Sequence, residues 1–446
     1  MGMAQRRLIA PLAVVGVVGI ALAGCSGGPG ASNNNNNNGS EGADDKVVTV
    51  YGTIADDEAK RLEESWADFE ESSGIDIKYE SSKEFEAQIA VRAQGGTAPD
   101  IAIFPQPGLM ADIANLGYLK PAPDAVKANV ESGWTEDWAN YATVDGTLYG
   151  APLMASVKGW IWYSPSFFAD NGYEIPTDWQ GLLDLTAQIQ SDTGNPPWCV
   201  GFGSDAATGW PGTDWIEDLV LRQSGTEVYD QWIANEVPFT DPAIKSAFDE
   251  FGKIVLNSDY VNAGFGGTDT IVTTPFGDPA EALVSGDCAL HHQASFYDGF
   301  IDVAGGEVAE DGDIWAFIMP PYEAGGASDG AVVTGGGEIV AAFDDSESTQ
   351  QVQEYLSSPE WANSRVSLGG VISANKGLDP ANASSNILKA AIEILQDDTT
   401  TFRFDASDLM PGAVGSGTFF KGMVDWVNGA DTDSVLQQIE AGWPSE

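Results

Sequence analysis

The chain has 446 residues, 43% of them hydrophobic, and its 67 acidic against 19 basic side chains give a formal net charge of −48 at pH 7. A surface this negative repels nucleic acid and anionic lipid, so we exclude a nucleic-acid-binding protein and one held on membranes by basic patches. The length exceeds what one compact core holds and favours two lobes.

The first 24 residues have the composition of an export signal. Arg6 and Arg7 precede the uncharged, mostly apolar run LIAPLAVVGVVGIALAG, which closes with the small residues Ala23 and Gly24. This arrangement is typical of a secretory signal peptide. The alternative is a membrane anchor, because a run of this length could just span a bilayer, but its proline and its small-residue end count against that. The flanks AQRRLIA fit a twin-arginine signal poorly, so we expect general export.

The sequence LAGC, which ends at Cys25, resembles the lipobox of bacterial lipoproteins. The resemblance implies cleavage before Cys25 and a lipid on its thiol, and each buried CH₂ of an acyl chain contributes roughly 0.8 kcal/mol to membrane binding. Residues 25–45 are rich in glycine, serine and asparagine and lack the apolar residues of a core, so we expect a flexible tether. We therefore predict anchoring to the outer face of the bacterial cytoplasmic membrane through this lipid alone.

After the tether, strand-like and helix-like segments alternate. The segments KVVTVYGT, IDIKYES and PDIAIF are predicted strands, and DDEAKRLEESWADFEESSG, KEFEAQIAVRAQGG and PGLMADIANLGYLKP are predicted helices. This alternation predicts a mainly parallel sheet with helices on both faces. Ligands of such sheets bind at the carboxyl ends of the strands, which here are the loops at 53–58, 81–84 and 104–107.

The middle of the chain is mainly helical, with DWQGLLDLTAQIQ, DWIEDLVLRQSG and PAIKSAFDEFGKIVLNS as predicted helices. Strand-like sequence returns with DIWAFIMPPY and GAVVTGGGEIVAAF, and TQQVQEYLSSPEWANSRV is again a predicted helix. The return of strand after a long helical insert indicates that the chain leaves one lobe and later re-enters it.

Cysteine and histidine content bears on disulfides and metals. With Cys25 lipidated, Cys199 and Cys288 remain in an oxidising compartment, and we predict that they form a disulfide. Two separate buried thiols are the alternative. The two histidines, His291 and His292, have no CxxC beside them, so we expect neither a metal site nor a cofactor.

Several blocks of the sequence resemble the extracellular solute-binding proteins of ABC importers. The blocks GGTAPDIAIFPQPGLMADIANLGYLKP, DGTLYGAPLMASVKGWIWYSPSFFADNGYEIPTDW, FGDPAEALVSGDCALHHQASF, GGGEIVAAF and LSSPEWANSRVSLGGVISANKGLD occur in the order of that family. DAATGWPGTDWIEDLVLR and FDASDLMPGAVGSGTFFKGMVDWVNG are similar to the alpha-glucoside-type binding lipoproteins of its carbohydrate branch. Where the family usually has a basic residue or asparagine after WY, this chain has Ser164 and Pro165.

The resemblance implies an α/β, maltose-binding-protein-like fold of the type II periplasmic-binding class, in which each lobe is a mainly parallel sheet flanked by helices. A sugar would bind in the cleft between the lobes, and the closed monomer would dock on the permease subunits of an ABC transporter. The chain would cross between lobes near 151–158, 334–338 and 371–376. The expected N-terminal lobe comprises residues 46–152 and 336–372, and the C-terminal lobe comprises 153–335 and 373–446.

Tryptophans in loop-like sequence are the first candidates for ligand contacts, because a sugar presents flat apolar faces to aromatic rings. Trp210 and Trp215 bracket Asp214 in GWPGTDW, and we predict that all three contact the ligand. The alternatives are a structural plug under a loop or, for Trp215, the first turn of the next helix. Trp160 alternates with Trp162 in GWIWY, so we expect Trp160 to face the cleft.

The rim of a sugar needs planar polar groups that make two-pronged hydrogen bonds. The match of FRFDASDLMP to the alpha-glucoside-type block implies contacts from Arg403, Asp405 and Asp408, although a surface turn capped by Asp408 is the alternative. For Glu58 the alternative is a role at a helix N-terminus, where acidic side chains are favoured. The remaining candidates follow predicted strands or lie in the block expected at the lobe interface: Glu58, Glu84, Gln106, Gln293 and Phe296.

The glycine triplet at 335–337 has two interpretations. It could let backbone approach the ligand, or it could give a hinge free backbone angles.

A secreted glycoside hydrolase and a surface carbohydrate-binding adhesin are the alternative functions. The sequence has no G-x-S-x-G, no Walker loop, no dinucleotide fingerprint and no internal repeat. With 67 acids, two carboxylates close together carry little information about hydrolysis. We therefore predict a receptor that captures a sugar, not an enzyme.

Overall fold

A computed structural model describes residues 46–262, 266–323, 332–397 and 399–444. The predicted signal peptide, Cys25 and the tether up to residue 45 lie outside the described residues. No helix in the described part of the chain is long and apolar enough to cross a bilayer.

The strands of the described residues belong to three sheets, one of six strands, one of three and one of two. The first three strands coincide with the predicted KVVTVYGT, IDIKYES and PDIAIF. The strands are β1 (Val47–Gly52), β2 (Asp76–Ser81), β3 (Ile101–Phe104), β4 (Thr143–Val144), β5 (Thr147–Leu148), β6 (Gly150–Val157), β7 (Trp160–Tyr163), β8 (Leu290–Gln293), β9 (Trp315–Ile318), β10 (Val332–Ala342) and β11 (Thr401–Phe404).

The helices mostly begin where the predicted amphipathic segments begin. Many start at a serine, threonine or aspartate that accepts a backbone N–H, as Asp178 does from Gly181, or carry proline in the first turn. The helices are α1 (Asp56–Glu64), α2 (Ala67–Ser73), α3 (Phe85–Gln94), α4 (Pro107–Asn115), α5 (Asp124–Gly133), α6 (Glu136–Tyr141), α7 (Pro165–Asn171), α8 (Trp179–Thr193), α9 (Trp210–Ile233), α10 (Pro242–Val255), α11 (Pro279–Ser285), α12 (Asp298–Val303), α13 (Glu347–Leu356), α14 (Pro359–Ser367), α15 (Asn386–Gln396), α16 (Ala406–Leu409), α17 (Phe420–Val427) and α18 (Thr432–Glu440).

The six-stranded sheet has a parallel half, made of β1, β2 and β3, and a half of mixed strand directions around β10. β1 pairs in parallel with β2 on one side and β3 on the other, and Val50 lies opposite both Tyr79 and Ile101. β10 then pairs antiparallel with β3 and with β6, and parallel with β11. The parallel half confirms the arrangement predicted from strand and helix alternation, with strands joined by α1 to α3.

The long strand β10 connects two regions of the molecule. Its first residues, 332–335, pair with β11, and its last residues, 339–342, pair with β3, while β6 runs along its other edge. The third predicted crossover also lies here, since Ala155 of β6 donates its N–H to the Ile372 carbonyl over 2.8 Å. The three segments expected to cross between lobes are therefore side by side.

The glycine triplet in β10 is explained by close packing. A Cβ on Gly335 would lie 2.3 Å from the Phe402 ring, and a Cβ on Gly337 would lie 2.4 Å from the Met154 carbonyl oxygen. Neither glycine has a positive φ. The strands can thus approach each other closely, and this differs from both interpretations drawn from the sequence.

The three-stranded sheet, in the order β8-β7-β9, corrects the expectation of a mainly parallel sheet in the second lobe. β7 pairs antiparallel with both neighbours. β7 follows β6 after only Lys158 and Gly159 but belongs to a different sheet from β6. Parallel pairing is seen at bridges such as Trp198 with Leu290 and with Val261.

The predicted disulfide between Cys199 and Cys288 is confirmed, with Cα atoms 5.8 Å apart. Both residues are buried. The bridge closes a loop 89 residues long and joins the segment after α8 to the start of β8. By chain entropy such a bridge stabilises the fold by about 4 kcal/mol.

Candidate functional site

Buried charges concentrate where β6 leaves the six-stranded sheet. Lys158 is only 6% exposed, and its ammonium nitrogen lies 2.8 Å from Asp214 Oδ1. The same nitrogen contacts Asp405 Oδ2. Asp214 belongs to α9 and Asp405 precedes α16, so the lysine draws three distant segments of the chain together. A buried charge needs such partners, because burial without them is costly.

Glu217 adjoins this ion cluster. Its oxygens accept the backbone N–H groups of Ala406 over 3.2 Å and Ser407 over 3.0 Å. Oxygens of Asp214, Glu217 and Asp405 lie within 4.8 Å of one another, close enough to share a cation. Lys158 already supplies a positive charge here, so the cluster has its counter-ion within the chain.

An aromatic wall flanks the ion cluster. The ring of Trp210 lies 5.1 Å from Phe276 and 6.2 Å from Phe296, and Phe276 lies 5.3 Å from Phe300 (centroid distances). All four rings are partly exposed. The ammonium of Lys158 is 5.7 Å from the Trp210 ring centre. The rings are tilted against one another, and together they place an apolar surface directly beside hydrogen-bonding groups.

Two carboxyls near Lys158 have strongly raised pKa values. Burial raises the pKa of Asp408 to about 7, against the lowering effect of Lys158 and with a further rise from Asp214. Burial and the charge of Glu58 raise the pKa of Glu338 in β10 to about 7. Both side chains are nevertheless partly exposed. A group that is accessible and yet surrounded by protein lies in a cleft.

Glu58 and Arg365 form a second polar group. Burial raises the pKa of Glu58, although 36% of its side chain is accessible. Arg365 of α14 is buried, and its Nη1 donates to the Gly369 carbonyl over 2.9 Å. Its Nη2 is 3.8 Å from Glu58 Oε1, too far for a hydrogen bond. Nε and Nη2 have no hydrogen-bond partner among the described residues.

Gln106 and Glu86 form a third polar group, between β3 and α3. Gln106 is 6% exposed and its amide nitrogen donates to Glu86 Oε1 over 3.3 Å. Burial raises the pKa of Glu86, whose charge in turn raises that of Asp408. The other oxygens, Glu86 Oε2 and Gln106 Oε1, lack a hydrogen-bond partner within the described ranges.

The ion cluster, the two other polar groups and the aromatic wall influence one another through contacts or through their charges. We call them together the polar cleft. Carboxyls predominate in it, and they can both accept and, where protonated, donate hydrogen bonds. Such a surface suits a neutral ligand with many hydroxyls and an apolar face. Its residues are Glu58, Glu86, Gln106, Lys158, Trp210, Asp214, Phe276, Phe296, Phe300, Glu338, Arg365, Asp405 and Asp408.

The structure places Trp215 in a core instead of the cleft. It is 2% exposed, stacks on Phe251 at 4.8 Å and lies 4.1 Å from the His292 ring. The helix α9 already begins at Trp210, so five residues later the side chain points to the opposite, packed side. Trp215 is therefore helical, as in the alternative, but it lies beyond the first turn of the helix, and its burial leaves almost no surface for the predicted ligand contact.

Two more predicted residues lie elsewhere. The guanidinium of Arg403 pairs with the Asp230 carboxylate over 2.7 and 3.0 Å in an exposed ion pair. Glu84 is exposed at the start of α3. The ion pair with Asp230 holds the Arg403 side chain at the surface. Glu84 immediately precedes α3, and Glu86 lies in the first turn of that helix.

Four predicted residues lie beneath the cleft surface, and Asp214, 2% exposed and paired with Lys158, is one of them. Trp160 and Gln293 face each other across β7 and β8 and are 4% and 1% exposed. Gln293 Oε1 accepts the Ala294 N–H over 2.8 Å. Asp405, 1% exposed, is held by Lys158. These side chains shape and charge the cleft from below.

Behind the cleft, a second ion cluster secures β10 to α9. The carboxylate of Asp218 accepts from Thr334 Oγ1 at 2.5 Å, Arg222 Nη1 at 2.8 Å and His292 Nε2 at 2.9 Å. Burial opposes its charge, but Arg222 and the hydrogen bond from His292 outweigh burial and hold the pKa of Asp218 at about 2. Arg222 also donates to the Val332 carbonyl over 3.1 Å.

Sequence reasoning missed Lys158, Glu338, Arg365 and Glu86. Lys158 carried a signal, because it is the one charged residue in the apolar stretch APLMASVKGWIWY. The other three lie on predicted helices or a strand where a charge is ordinarily solvated.

Residues 55–363 match the sequence family of the bacterial extracellular solute-binding proteins. The chain belongs to this family, which confirms the resemblance seen in its sequence blocks. The family consists of extracellular receptors, not enzymes.

Two relatives and one solved structure are similar over nearly the whole chain. The osmoprotective compounds-binding protein GgtB of Synechocystis sp. is 38% identical, covering 90% of this chain and 93% of GgtB. The alpha-glucosides-binding periplasmic protein AglE of Rhizobium meliloti is 39% identical, covering 90% of this chain and 87% of AglE. The bacterial solute receptor AcbH, at 18% identity, covers 89% of this chain and 97% of AcbH with a TM-score of 0.75. This similarity confirms the predicted two-lobed α/β periplasmic-binding fold.

Proposed function

We propose that the polar cleft captures a sugar, most simply an alpha-glucoside, for uptake by an ABC importer. The proposal rests mainly on the position of the partly exposed Trp210 ring, which lies beside Lys158 and near the partly exposed carboxyls of Asp408 and Glu338. An aromatic ring can cover the C–H face of a sugar ring, while carboxyls form hydrogen bonds with its hydroxyl groups. The proposal is supported by the name of AglE, an alpha-glucosides-binding protein, and by that of GgtB, an osmoprotective compounds-binding protein.

We further propose that residues 46–152 and 336–372 form one lobe and residues 153–335 and 373–446 the other. With these boundaries, several contacts join opposite lobes around the cleft. Arg61 lies 3.7 Å from Asp302, and Lys83 lies 3.9 Å from Asp205. The Gly412 N–H donates to the Asp112 carboxylate over 2.9 Å. These contacts describe a closed arrangement, and ligand binding would favour it over an open one.

In this proposal the closed monomer delivers its sugar to the permease subunits of the transporter. The lipid on Cys25 holds the protein at the outer face of the cytoplasmic membrane, and residues 25–45 give it reach. A shift of the protein from the detergent phase to the aqueous phase on Cys25→Ser would support the anchor. Equal partitioning of both forms would contradict it.

Calorimetric titration with maltose, maltotriose, trehalose, sucrose and galactose tests the proposed ligand class. We expect binding of at least one alpha-glucoside with the sugar recovered intact, and a loss of about 100-fold or more in affinity for Trp210→Ala, since aromatic stacking and area are lost. Trp443→Ala is the matched control, because Trp443 follows α18 and packs against the buried hydrophobic cluster that includes Leu436 and Ile439 of that helix. Equal effects of the two substitutions, or hydrolysis of the sugar, would refute the assignment.

A further inference from the structure

Carboxyls from both proposed lobes lie close together where α16 packs on β10. Asp408 belongs to α16 in one lobe, and its Oδ2 lies 3.8 Å from the position that a Cβ on Gly336 would take in the other lobe. Glu338 follows two residues after Gly336 in β10, and its charge raises the pKa of Asp408. Closure of the lobes therefore brings these two carboxyls into each other's electric field.

The polar cleft holds more negative than positive side chains. Its six carboxyls and two cations are those of Glu58, Glu86, Asp214, Glu338, Asp405 and Asp408, and those of Lys158 and Arg365. Lys158 contacts two of the carboxyls, Asp214 and Asp405, and Arg365 lies 3.8 Å from a third, Glu58. The other three carboxyls form no ion pair with any residue that the structure describes. The cleft therefore lacks counter-charge when it is closed.

A proton is the simplest counter-charge for such a group. An unpaired carboxylate is costly to enclose, and when two carboxyls approach each other one of them retains its proton more readily. Burial raises the pKa of both Asp408 and Glu338 to about 7, so a proton is available to them near neutral pH. A metal ion is less suitable, because among the described residues neither carboxyl belongs to a group of three ligands close enough to hold one.

The neighbouring charges decide how the protonation of Asp408 changes on closure. The charged and titratable groups on the elements around the two carboxyls are Lys158 after β6, Asp214 and Glu217 of α9, Asp405 before α16, Glu86 of α3, Asp112 of α4, Tyr79 of β2, Glu58 of α1 and Arg365 of α14. Lys158, which lowers the pKa of Asp408, belongs to the same proposed lobe, whereas Glu86 and Glu338, which raise it, belong to the other. In the open form these two acids are farther away and water is nearer, so the pKa of Asp408 is lower than in the closed form.

We propose that closure of the cleft around a sugar takes up a proton from solvent, which is shared between Asp408 of one lobe and Glu338 of the other. This inference rests on the proposed sugar-binding function and on the proposed lobe boundaries. The proton turns a carboxylate into a carboxylic acid, which donates a hydrogen bond to a sugar oxygen, as a carboxylate cannot. Mild acid therefore strengthens sugar capture, and a higher pH favours release.

Calorimetric titration in two buffers measures this proton directly. Of maltose, maltotriose, trehalose, sucrose and galactose, the sugar that binds most tightly is titrated at pH 7 in phosphate and in Tris. The ionisation enthalpies of these buffers differ, so the difference in observed heat gives the number of protons taken up. We expect about 0.3–1 proton per sugar, and an affinity that falls about 3- to 10-fold from pH 6 to pH 8, since one proton with a midpoint near 7 changes it by at most about tenfold over this range.

Substitutions of the two carboxyls identify the groups that take up the proton. Whatever its affinity, the Asp408→Asn, Glu338→Gln double variant is expected to take up no proton and to lose the pH dependence. If it binds too weakly to titrate, each single variant provides the same test through a reduced uptake. Asp298→Asn is the matched control, because Asp298 is a buried carboxyl with a pKa raised to about 6 by burial, and its hydrogen-bond partner Ser385 lies in the same proposed lobe. It should keep the wild-type proton number.

The outcomes separate this inference from the proposed function. Tight sugar binding by the wild-type protein without proton uptake, or with proton release, overturns the inference and leaves the proposed function intact. An unchanged proton number in the double variant also overturns it. Sugar binding that is lost in EDTA and restored by calcium overturns it too, because the missing counter-charge is then a metal ion. A wild-type protein that binds none of the sugars refutes the proposed function itself.

Discussion

Gly108 in α4 provides a direct test of lobe closure. A Cβ at this position would lie 1.9 Å from the Met410 carbonyl oxygen and 2.9 Å from that of Leu409. Both are backbone atoms, so no side-chain rotation can relieve the overlap in Gly108→Ala. Ordinary contact needs about 3.4 Å or more, and the two segments would have to separate by more than an ångström.

Under the proposed boundaries this contact joins opposite lobes, so the overlap destabilises only the closed form. Overpacking typically costs about 1–3 kcal/mol, which for a closure-dependent receptor weakens sugar binding about 5- to 150-fold. The unliganded open form pays no such penalty. There the substitution replaces a glycine in the first turn of α4 by alanine, a better helix former, so the helix itself is not destabilised.

We therefore expect weaker binding in calorimetry together with an unliganded melting temperature that is unchanged or raised. Gly252→Ala is the matched control, because its Cβ would meet Trp426 at an ordinary 3.4 Å within one region of the molecule. A melting temperature several degrees lower for Gly108→Ala would show that the contact lies inside one rigid body. Wild-type affinity would show that closure does not require the contact. Either result refutes the reasoning.

Three further predictions concern stability. Lys158→Met leaves two buried aspartates without their cation and should lower the free energy of unfolding by about 3–5 kcal/mol in urea titrations, whereas Lys127→Met, at a surface pair, should change it by less than about 1 kcal/mol. Because burial raises the pKa of Asp408 and Glu338 to about 7, their contribution is fully present below about pH 4 and is lost as the pH rises through 7. Unfolding titrations from pH 4.5 to 8 should show this fall, and an Asp408→Asn, Glu338→Gln double variant should flatten it. Cys288→Ser should lower the melting temperature, corresponding to about 2–5 kcal/mol, and reductant should then have no further effect.

Each of these three predictions has a result that would contradict it. The lowered pKa of buried His291, about 3, acts in the opposite direction up to about pH 6.5, but two carboxyls with raised pKa values outweigh it. A wild-type protein whose stability rises between pH 5 and 8 would therefore contradict the assigned carboxyl shifts. If Lys158→Met and Lys127→Met destabilise equally, the ion cluster is not buried as described. A Cys288→Ser protein that melts like the wild type would show that the bridge contributes nothing to the fold.

Local sequence determined the local elements and the family. The apolar β-branched runs predicted β1, β2 and β3, and the spacing of apolar residues predicted the helices between them, because each pattern is set by neighbouring residues. The family followed from blocks spread along the chain. The disulfide followed from compartment and an even cysteine pair.

Tertiary structure alone decided which side chains meet. Lys158 and Asp214 are 56 residues apart, and Glu217 and Ala406 are 189 apart, so no local pattern reports their contact. Trp210 and Trp215 share one motif in the sequence, but the rotation of α9 sends one to the cleft and the other to the core. Whether a charge in a helix or strand is solvated or enclosed depends on what the rest of the chain packs against it, and this is why Glu338 and Arg365 became visible only in the folded molecule.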